Sequence, residues 1–408
     1  MNKDEVFVVI GAGHAGGRAV AAMRKEGFPG RIVLIGQEAY LPYERPPLSK
    51  EVLADHADPL SSIIYDEHFY TEHGVEVLLN KKVVKLDTEK CLIFTDDGAE
   101  IGYHKLLFTT GTRARQLNVP GSELSGIYSL RSIDDALALR PLLKPGKKVV
   151  LVGGGFIGLE VAASACKLGC EVTVLEAEQR LLSRCIVEPV ADFMTQVHQS
   201  HGICLQLGVS LSEFIGSGSV TAARCGNGSE LEADVVVVGI GAIPNSEIAE
   251  AAGVACDNGI LVDESCRTSD PSIYAAGDVA NQYSTLLKKH MRLESWDNAE
   301  KQSVVAAKAM CGIENDGAVT PWFWTDQFDI NLQVLGYPTQ GDTTVMRGDP
   351  AEHRFCVFTL REKRVVGAAL VNSGAERRPI MNIMETGREV EASVLADTAV
   401  KLRSLMQR

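Results

Sequence analysis

Hydrophobic positions fall along the chain in short unbroken runs separated by glycine turns and stretches of helical period, and one ordered set of these features occurs twice. In the first set Val6 to Ile10 leads into Gly11-Ala12-Gly13-His14-Ala15-Gly16 and an alanine-rich helical stretch to about Gly27. A second run, Arg31 to Gly36, then ends beside Gln37 and Glu38. In the second set Lys148 to Val152 leads into Gly153-Gly154-Gly155-Phe156-Ile157-Gly158 and a helix to about Gly169, and Glu171 to Leu175 ends at Glu176. Strands that are apolar at successive positions are buried on both faces, as parallel strands covered by helices are. Each set therefore predicts a parallel β-α-β unit.

Later runs predict further strands at Ala233 to Ile240, which leads into the glycine-bearing segment Gly239-Ile240-Gly241, and at Ser272 to Ala276, which ends in Gly277-Asp278. A helix is expected around Ser295 to Met310. Beyond Gly312 the texture changes: Pro321-Trp322-Phe323-Trp324 precedes alternating strands near Asp342 to Arg347, Arg354 to Leu360 and Arg364 to Val371, and two helical stretches close the chain. The fold class expected is α/β, with two Rossmann-like dinucleotide-binding domains and a separate C-terminal α+β domain.

A length of 408 residues suits two or three domains at roughly 150 residues each. The net charge of -13, with no Lys/Arg tract interleaved with aromatics, argues against a nucleic-acid partner. The most apolar later stretch, Val149 to Ala165, contains Glu160 and three consecutive glycines, so no membrane span is expected. Ten cysteines without a CxxC pair read as reduced thiols in a cytoplasmic protein, with no metal centre in the chain itself.

The repeated glycine string is where chemistry enters. The first glycine makes the strand-to-helix turn, the second lets backbone approach a pyrophosphate, and the third admits close helix packing, while the helix N-terminus offers N–H groups to the phosphates. The cofactor-binding candidates are Gly11, Gly13, His14, Ala15 and Gly16 in the first copy and Gly153, Gly155 and Gly158 in the second, with Gly241 added from the later glycine segment. An acid after the second strand suits a ribose diol: Glu176 on the NAD side, where it favours NADH over NADPH, and either Gln37 or Glu38 on the FAD side. Two nucleotide sites in one chain imply hydride transfer between a mobile NADH and a tightly held FAD.

Beyond these fingerprints, Leu41-Pro42-Tyr43-Glu44-Arg45-Pro46-Pro47-Leu48-Ser49-Lys50, Thr110-Gly111-Thr112, Gly277-Asp278-Val279-Ala280, Glu294-Ser295-Trp296-Asp297-Asn298-Ala299 and Pro321-Trp322-Phe323-Trp324-Thr325-Asp326-Gln327 run through the chain. With them the sequence resembles the FAD- and NADH-binding ferredoxin reductases of bacterial multicomponent oxygenase systems, the aromatic-ring dioxygenase reductases in particular, and the related rubredoxin and putidaredoxin reductases. The resemblance implies an FAD-binding domain split between 1–112 and 243–320, an inserted NADH-binding domain at 113–242 and a C-terminal interface domain at 321–408. It also implies FAD contacts at Lys50, Val83, Arg131, Asp278 and Trp296, and a Lys50–Glu160 pair at the nicotinamide end as the catalytic residues. The residues themselves fit: two prolines hold the segment before Lys50 rigid, positive charge near a flavin stabilises its anionic reduced form, and Asp278 suits a ribitol hydroxyl.

Disulfide reductases with this layout carry a CxxxxC pair after the first β-α-β unit, whereas Gly36 to Asp87 holds no cysteine and Cys91 falls in a predicted strand without a partner. Electrons are therefore expected to leave singly. The function expected is an NADH:ferredoxin oxidoreductase serving an iron–sulfur ferredoxin of the Rieske [2Fe–2S] type, acting as monomer or homodimer. The alternatives are a rubredoxin reductase and a redox-responsive binding protein resembling apoptosis-inducing flavoproteins. An acidic ferredoxin needs a local basic face on an acidic protein. Candidates are Lys288-Lys289-His290 with Arg292, and Arg377-Arg378, with Trp322 or Trp324 lying toward the partner.

Overall fold

In the computed structural model, which describes residues 2–284, 287–314 and 320–406, both glycine strings start helices at the centre of a parallel sheet. The first sheet runs Ile273–Ala275, Lys105–Phe108, Val6–Ile10, Arg31–Ile35, Val75–Leu78, all parallel. The second runs Cys204–Leu207, Glu171–Glu176, Lys148–Val152, Val235–Val238, Ile127–Tyr128, also all parallel. In both, the fingerprint strand is central, flanked on one side by the strand that follows its helix and on the other by a strand from much later in the chain. That placement opens a crevice at the carboxyl end of the strand, where doubly wound sheets bind ligands.

The chain divides into two units: Met1–Pro46 with Asp58–Arg113 and Ala242–Val319, and Pro47–Ala57 with Ala114–Gly241 and Thr320–Arg408. Within the first, the helices His14–Lys25 and Trp296–Met310 pack on one face of the parallel sheet through Val20, Met23, Ala306 and Met310. Within the second, an antiparallel sheet of order Trp322–Gln327, Ile330–Gly336, Arg364–Val371, Arg354–Arg361, Thr343–Asp349 is covered on both sides. Leu335, Phe358 and Leu370 face the helices Arg377–Glu385 and Ala392–Ala396, whereas Leu332, Val334, Val357 and Val371 enter the core that holds Val149, Leu159 and Met194. Adjacent residues on one strand thus serve different cores, which is why Arg364–Val371 is buried from Val365 onward.

Some strands were not visible in the hydrophobic pattern. Trp322–Gln327 and Ile330–Gly336 form a tight antiparallel pair, and Ala280–Ser284 pairs with Lys289–Arg292. Cys91 is not in a strand: it takes a left-handed conformation (φ 53°) in the turn before Leu92–Thr95.

Candidate functional site

The two glycine strings adopt one geometry. Gly11 (φ 115°) and Gly153 (φ 110°) lie in the region that side chains avoid, and a Cβ on either would run into the backbone of the neighbouring strand end, at Thr109 and Gly239 respectively. Gly16 and Gly158 sit against the carbonyl oxygens of Gly11 and Gly153, so any side chain there would overlap them. Above the middle glycines there is space: a Cβ on Gly13 would meet nothing nearer than Arg45 Nη2 at 3.9 Å, and one on Gly155 nothing nearer than Gly239 O at 3.9 Å. Gly13 and Gly155 are the N-caps of their helices, neither end is capped by a side chain, and neither first turn carries an acid. Both N-termini therefore offer N–H groups and partial positive charge to a phosphate.

The first unit gathers Gly11, Gly13, His14, Ala15, Gly16, Gln37, Glu38, Val83, Asp278 and Trp296. His14 Nε2 is 2.9 Å from Glu300, Arg18 Nε is 2.7 Å from the same carboxylate, and the His14 ring meets Trp296 edge-on at 5.1 Å. Burial pushes the Glu300 carboxyl up, but the bonds to His14 and Arg18 outweigh it and hold the group below its ordinary range. Gly277 (φ 77°) presses against Ala15 and Ala299, and its N–H donates to Gln302 Oε1 at 2.9 Å, which sets Asp278 beside the first helix. Gln37 is exposed, whereas the Glu38 carboxylate receives Arg45 at 2.8 Å and the Tyr43 hydroxyl at 2.6 Å. Burial of Arg45 is outweighed by Tyr43 and Glu38, so the guanidinium over Gly13 stays charged. Val83 is 3% exposed and its side chain is spent on the core, leaving its backbone for any ligand.

The second unit gathers Lys50, Arg131, Gly153, Gly155, Gly158, Glu160, Glu176 and Gly241. Lys50 Nζ lies 3.2 Å from Glu160 Oε1 and 3.7 Å from Asp326, and 6.0 Å from the centre of the Trp324 ring. Glu160 is 5% exposed and also accepts from the Ser49 and Thr325 hydroxyls, the latter at 2.6 Å. Ser49 is itself anchored, its carbonyl accepting from Ser164 at 2.7 Å. Glu176 bridges the nucleotide loop: Oε2 accepts the Gly154 N–H at 2.6 Å and Oε1 the Glu178 N–H at 2.8 Å. Arg131 precedes the helix Ile133–Leu139, where its N–H donates to the Asp135 carboxylate at 2.9 Å. Gly241 is exposed with φ 107°, close to Arg184.

Among the docking candidates, Lys288, Lys289 and His290 are exposed. Arg292 is not a surface cation, because its side chain is 9% exposed and donates to Glu294 and to the Asp278 carbonyl. In the second unit Arg377 lies 4.2 Å over the Trp322 ring, which stacks on Trp324 at 5.1 Å.

Sequence reasoning assigned no role to Arg45, Ser49, Thr325, Gln327 or His198. The available signal was Thr325 and Gln327, polar residues two apart in an aromatic strand and both buried.

Residues 6–303 match the family described as pyridine nucleotide-disulphide oxidoreductase, and residues 322–406 match the reductase C-terminal family. The chain belongs to the pyridine nucleotide-disulphide oxidoreductase family. It is 40% identical over 404 residues to the anthranilate 1,2-dioxygenase system ferredoxin–NAD(+) reductase component of Burkholderia cepacia, covering 98% of this chain and 99% of that one. It is 35% identical over 412 residues to the putidaredoxin reductase of Pseudomonas putida, covering 100% and 98%. The crystal structure of a covalent putidaredoxin reductase–putidaredoxin complex superposes with a TM-score of 0.96 at 34% identity, covering 99% and 98%. The ferredoxin reductase for the CYP199A2 system of Rhodopseudomonas palustris gives the same score at 36% identity, covering 99% and 100%.

Members of the family use FAD and NAD(H). The open space over Gly13 and Gly155, at two helix N-termini without side-chain caps, fits two dinucleotides. The disulphide in the family's description has no counterpart in this chain, none of whose ten cysteines is in a disulphide bond. Among the described residues no helix is long and apolar enough to cross a membrane.

Proposed function

We propose that this chain is the NADH-oxidising reductase of a multicomponent oxygenase system, transferring a hydride from NADH to FAD and single electrons onward to an iron–sulfur ferredoxin. The observation that carries the reading is a pair of equivalent, open glycine cradles in one chain, matched along nearly its whole length by a dioxygenase reductase component. FAD, when bound, converts the two-electron donor into a source of single electrons.

The residues divide the work. The N–H groups after Gly13 hold the FAD pyrophosphate, with the Arg45 guanidinium beside them, and Asp278 and Trp296 take further parts of FAD. Gly155 and the following first turn hold the NADH pyrophosphate, and Glu176 accepts the ribose diol. Lys50 supplies positive charge where reduction adds negative charge, and Glu160 fixes the position of that cation. Val83 adds a backbone contact to FAD within the first unit. The domain organisation we propose is the split FAD-binding domain at 1–112 and 243–320, the NADH-binding domain at 113–242 and the interface domain at 321–408.

Within this reading the partner is a Rieske-type [2Fe–2S] ferredoxin, with rubredoxin the second choice, and the protein works as monomer or homodimer. Ten cysteines without a disulphide bond suit a reducing, cytoplasmic compartment. The test is NADH-dependent cytochrome c reduction with and without added ferredoxin or rubredoxin. Strong dependence on ferredoxin supports the reading, and turnover indifferent to either carrier refutes it.

A further inference from the structure

Behind the Lys50–Glu160 pair runs a line of buried polar side chains that the redox reading does not use. Thr325 donates to Glu160 Oε1 at 2.6 Å, Gln327 Nε2 to Thr325 Oγ1 at 3.0 Å, and His198 Nε2 lies 2.7 Å from Gln327 Oε1. Thr325 is 1% exposed and Gln327 and His198 are both 0%. Burying three such groups costs stability unless each is bonded, and each makes its bond toward the next.

The direction of every bond follows from the inventory of protons. A carboxylate only accepts, so the single Thr325 proton goes to Glu160 and the Thr325 oxygen accepts from the Gln327 amide. That turns the Gln327 carbonyl toward His198, whose Nε2 must carry the proton. His198 Nδ1 is then bare, and among the described residues it has no partner. Reversing the line would place a proton on Nδ1 in that apolar surrounding, beside the Phe328 ring at 5.4 Å, leaving a buried donor unsatisfied. Burial also pulls the His198 imidazole below its ordinary pKa despite the Gln327 bond, consistent with a neutral ring. The line therefore points one way.

We infer that Thr325, Gln327 and His198 form a one-way hydrogen-bond line that fixes the Glu160 carboxylate as an acceptor aimed at Lys50, and so are positioning residues for hydride transfer. The last clause rests on the function proposed above. Two elements far apart in sequence, the helix Glu188–Ser200 and the strand Trp322–Gln327, supply the line, so the C-terminal domain contributes to the nicotinamide end of the reaction.

Two measurements on the holoprotein test it. Histidine-selective 15N labelling, with His198→Gln assigning the signal among the nine histidines, should show the His198 proton on Nε2, and a proton on Nδ1 overturns the inference. In stopped flow, Thr325→Val should lower the limiting rate of flavin reduction by NADH about tenfold, as loss of one bond to a charged group predicts, with the half-saturating NADH concentration within about twofold. Flavin content should not change, and Thr325→Ser, which keeps the hydroxyl, should restore the rate. A valine variant as fast as wild type, or a serine variant as slow as valine, overturns the positioning role. If NADH does not reduce the wild-type flavin, it is the function that fails, and the tautomer result stands apart from it.

Discussion

Removing the Glu176 carboxylate should change cofactor choice more than turnover. A carboxylate offers about four lone-pair positions. Two are taken by the Gly154 and Glu178 N–H groups at 2.6 and 2.8 Å, which leaves acceptor capacity for a ribose diol. Bonds to a charged acceptor contribute about 1.5–3 kcal/mol each, and allowing about 2–3 kcal/mol net for the diol predicts a fall of roughly 30- to 150-fold in kcat/KM for NADH in Glu176→Ala. A 2′-phosphate gains from the same change, because the like charge is gone, so the wild-type preference for NADH, of at least about tenfold, should fall by at least about 30-fold. The neighbouring cation is already engaged: Arg180 Nη1 is 3.2 Å from Glu188, in an exposed pair worth about 0–1 kcal/mol. Arg180→Ala in the Glu176→Ala background separates its share. The assay is initial-rate ferricyanide reduction with NADH and NADPH at fixed ionic strength, normalised to bound flavin. Equal kcat/KM for the two cofactors in wild type, or undiminished discrimination in Glu176→Ala, would refute the reasoning.

Further outcomes are expected from the glycines and the charges. Because the space over Gly13 is open in the folded chain, Gly13→Val should fold but purify colourless, whereas Gly155→Val should keep its yellow flavin absorbance and raise KM for NADH. Gly16→Ala and Gly158→Ala, which overlap backbone, should instead cost about 1–3 kcal/mol of stability by denaturant titration. Lys288→Glu with Lys289→Glu should slow ferredoxin reduction most at low salt and flatten its salt dependence, with ferricyanide reduction near wild type; an unchanged ferredoxin rate across the salt series excludes this pair from docking. Glu300 has a lowered folded-state pKa, so its contribution is complete above its unfolded value of about 4.3 and is lost as pH falls through the folded value. Glu300→Gln should therefore flatten the acid limb of the denaturation midpoint against pH.

The parallel sheets were legible because buried parallel strands are apolar at every position, as in Val235–Val238, and because Gly11 and Gly153 occupy conformations that no other residue tolerates cheaply. Trp322–Gln327 was hidden for the opposite reason: Thr325 and Gln327 place polar groups on a buried face, so the strand has neither an apolar run nor a polar alternation. The Lys50–Glu160 pair spans 110 positions and came from family resemblance, since nothing local in either segment marks the other. His198 was unreadable because a histidine on an amphipathic helix has no signature of what lies across from it. Arg292 was misjudged as surface charge because sequence does not show that a carbonyl at Asp278 stands within its reach.

The central strands of the C-terminal antiparallel sheet, Arg354–Arg361 and Arg364–Val371, are buried on both faces, and this bears on any effort to re-wire the protein to a foreign electron carrier. Transplanting 322–406 from a relative as a cassette would also import the face that carries Leu332, Val334, Val357 and Val371, and press it into a core still shaped by Val149, Leu159 and Met194. Such hybrids would begin with mismatched volumes, at about 1–3 kcal/mol for each overpacked position. Exchanges confined to exposed turns, such as the one at His353 and the one at Glu362 and Lys363, would leave every sheet residue native and both cores intact.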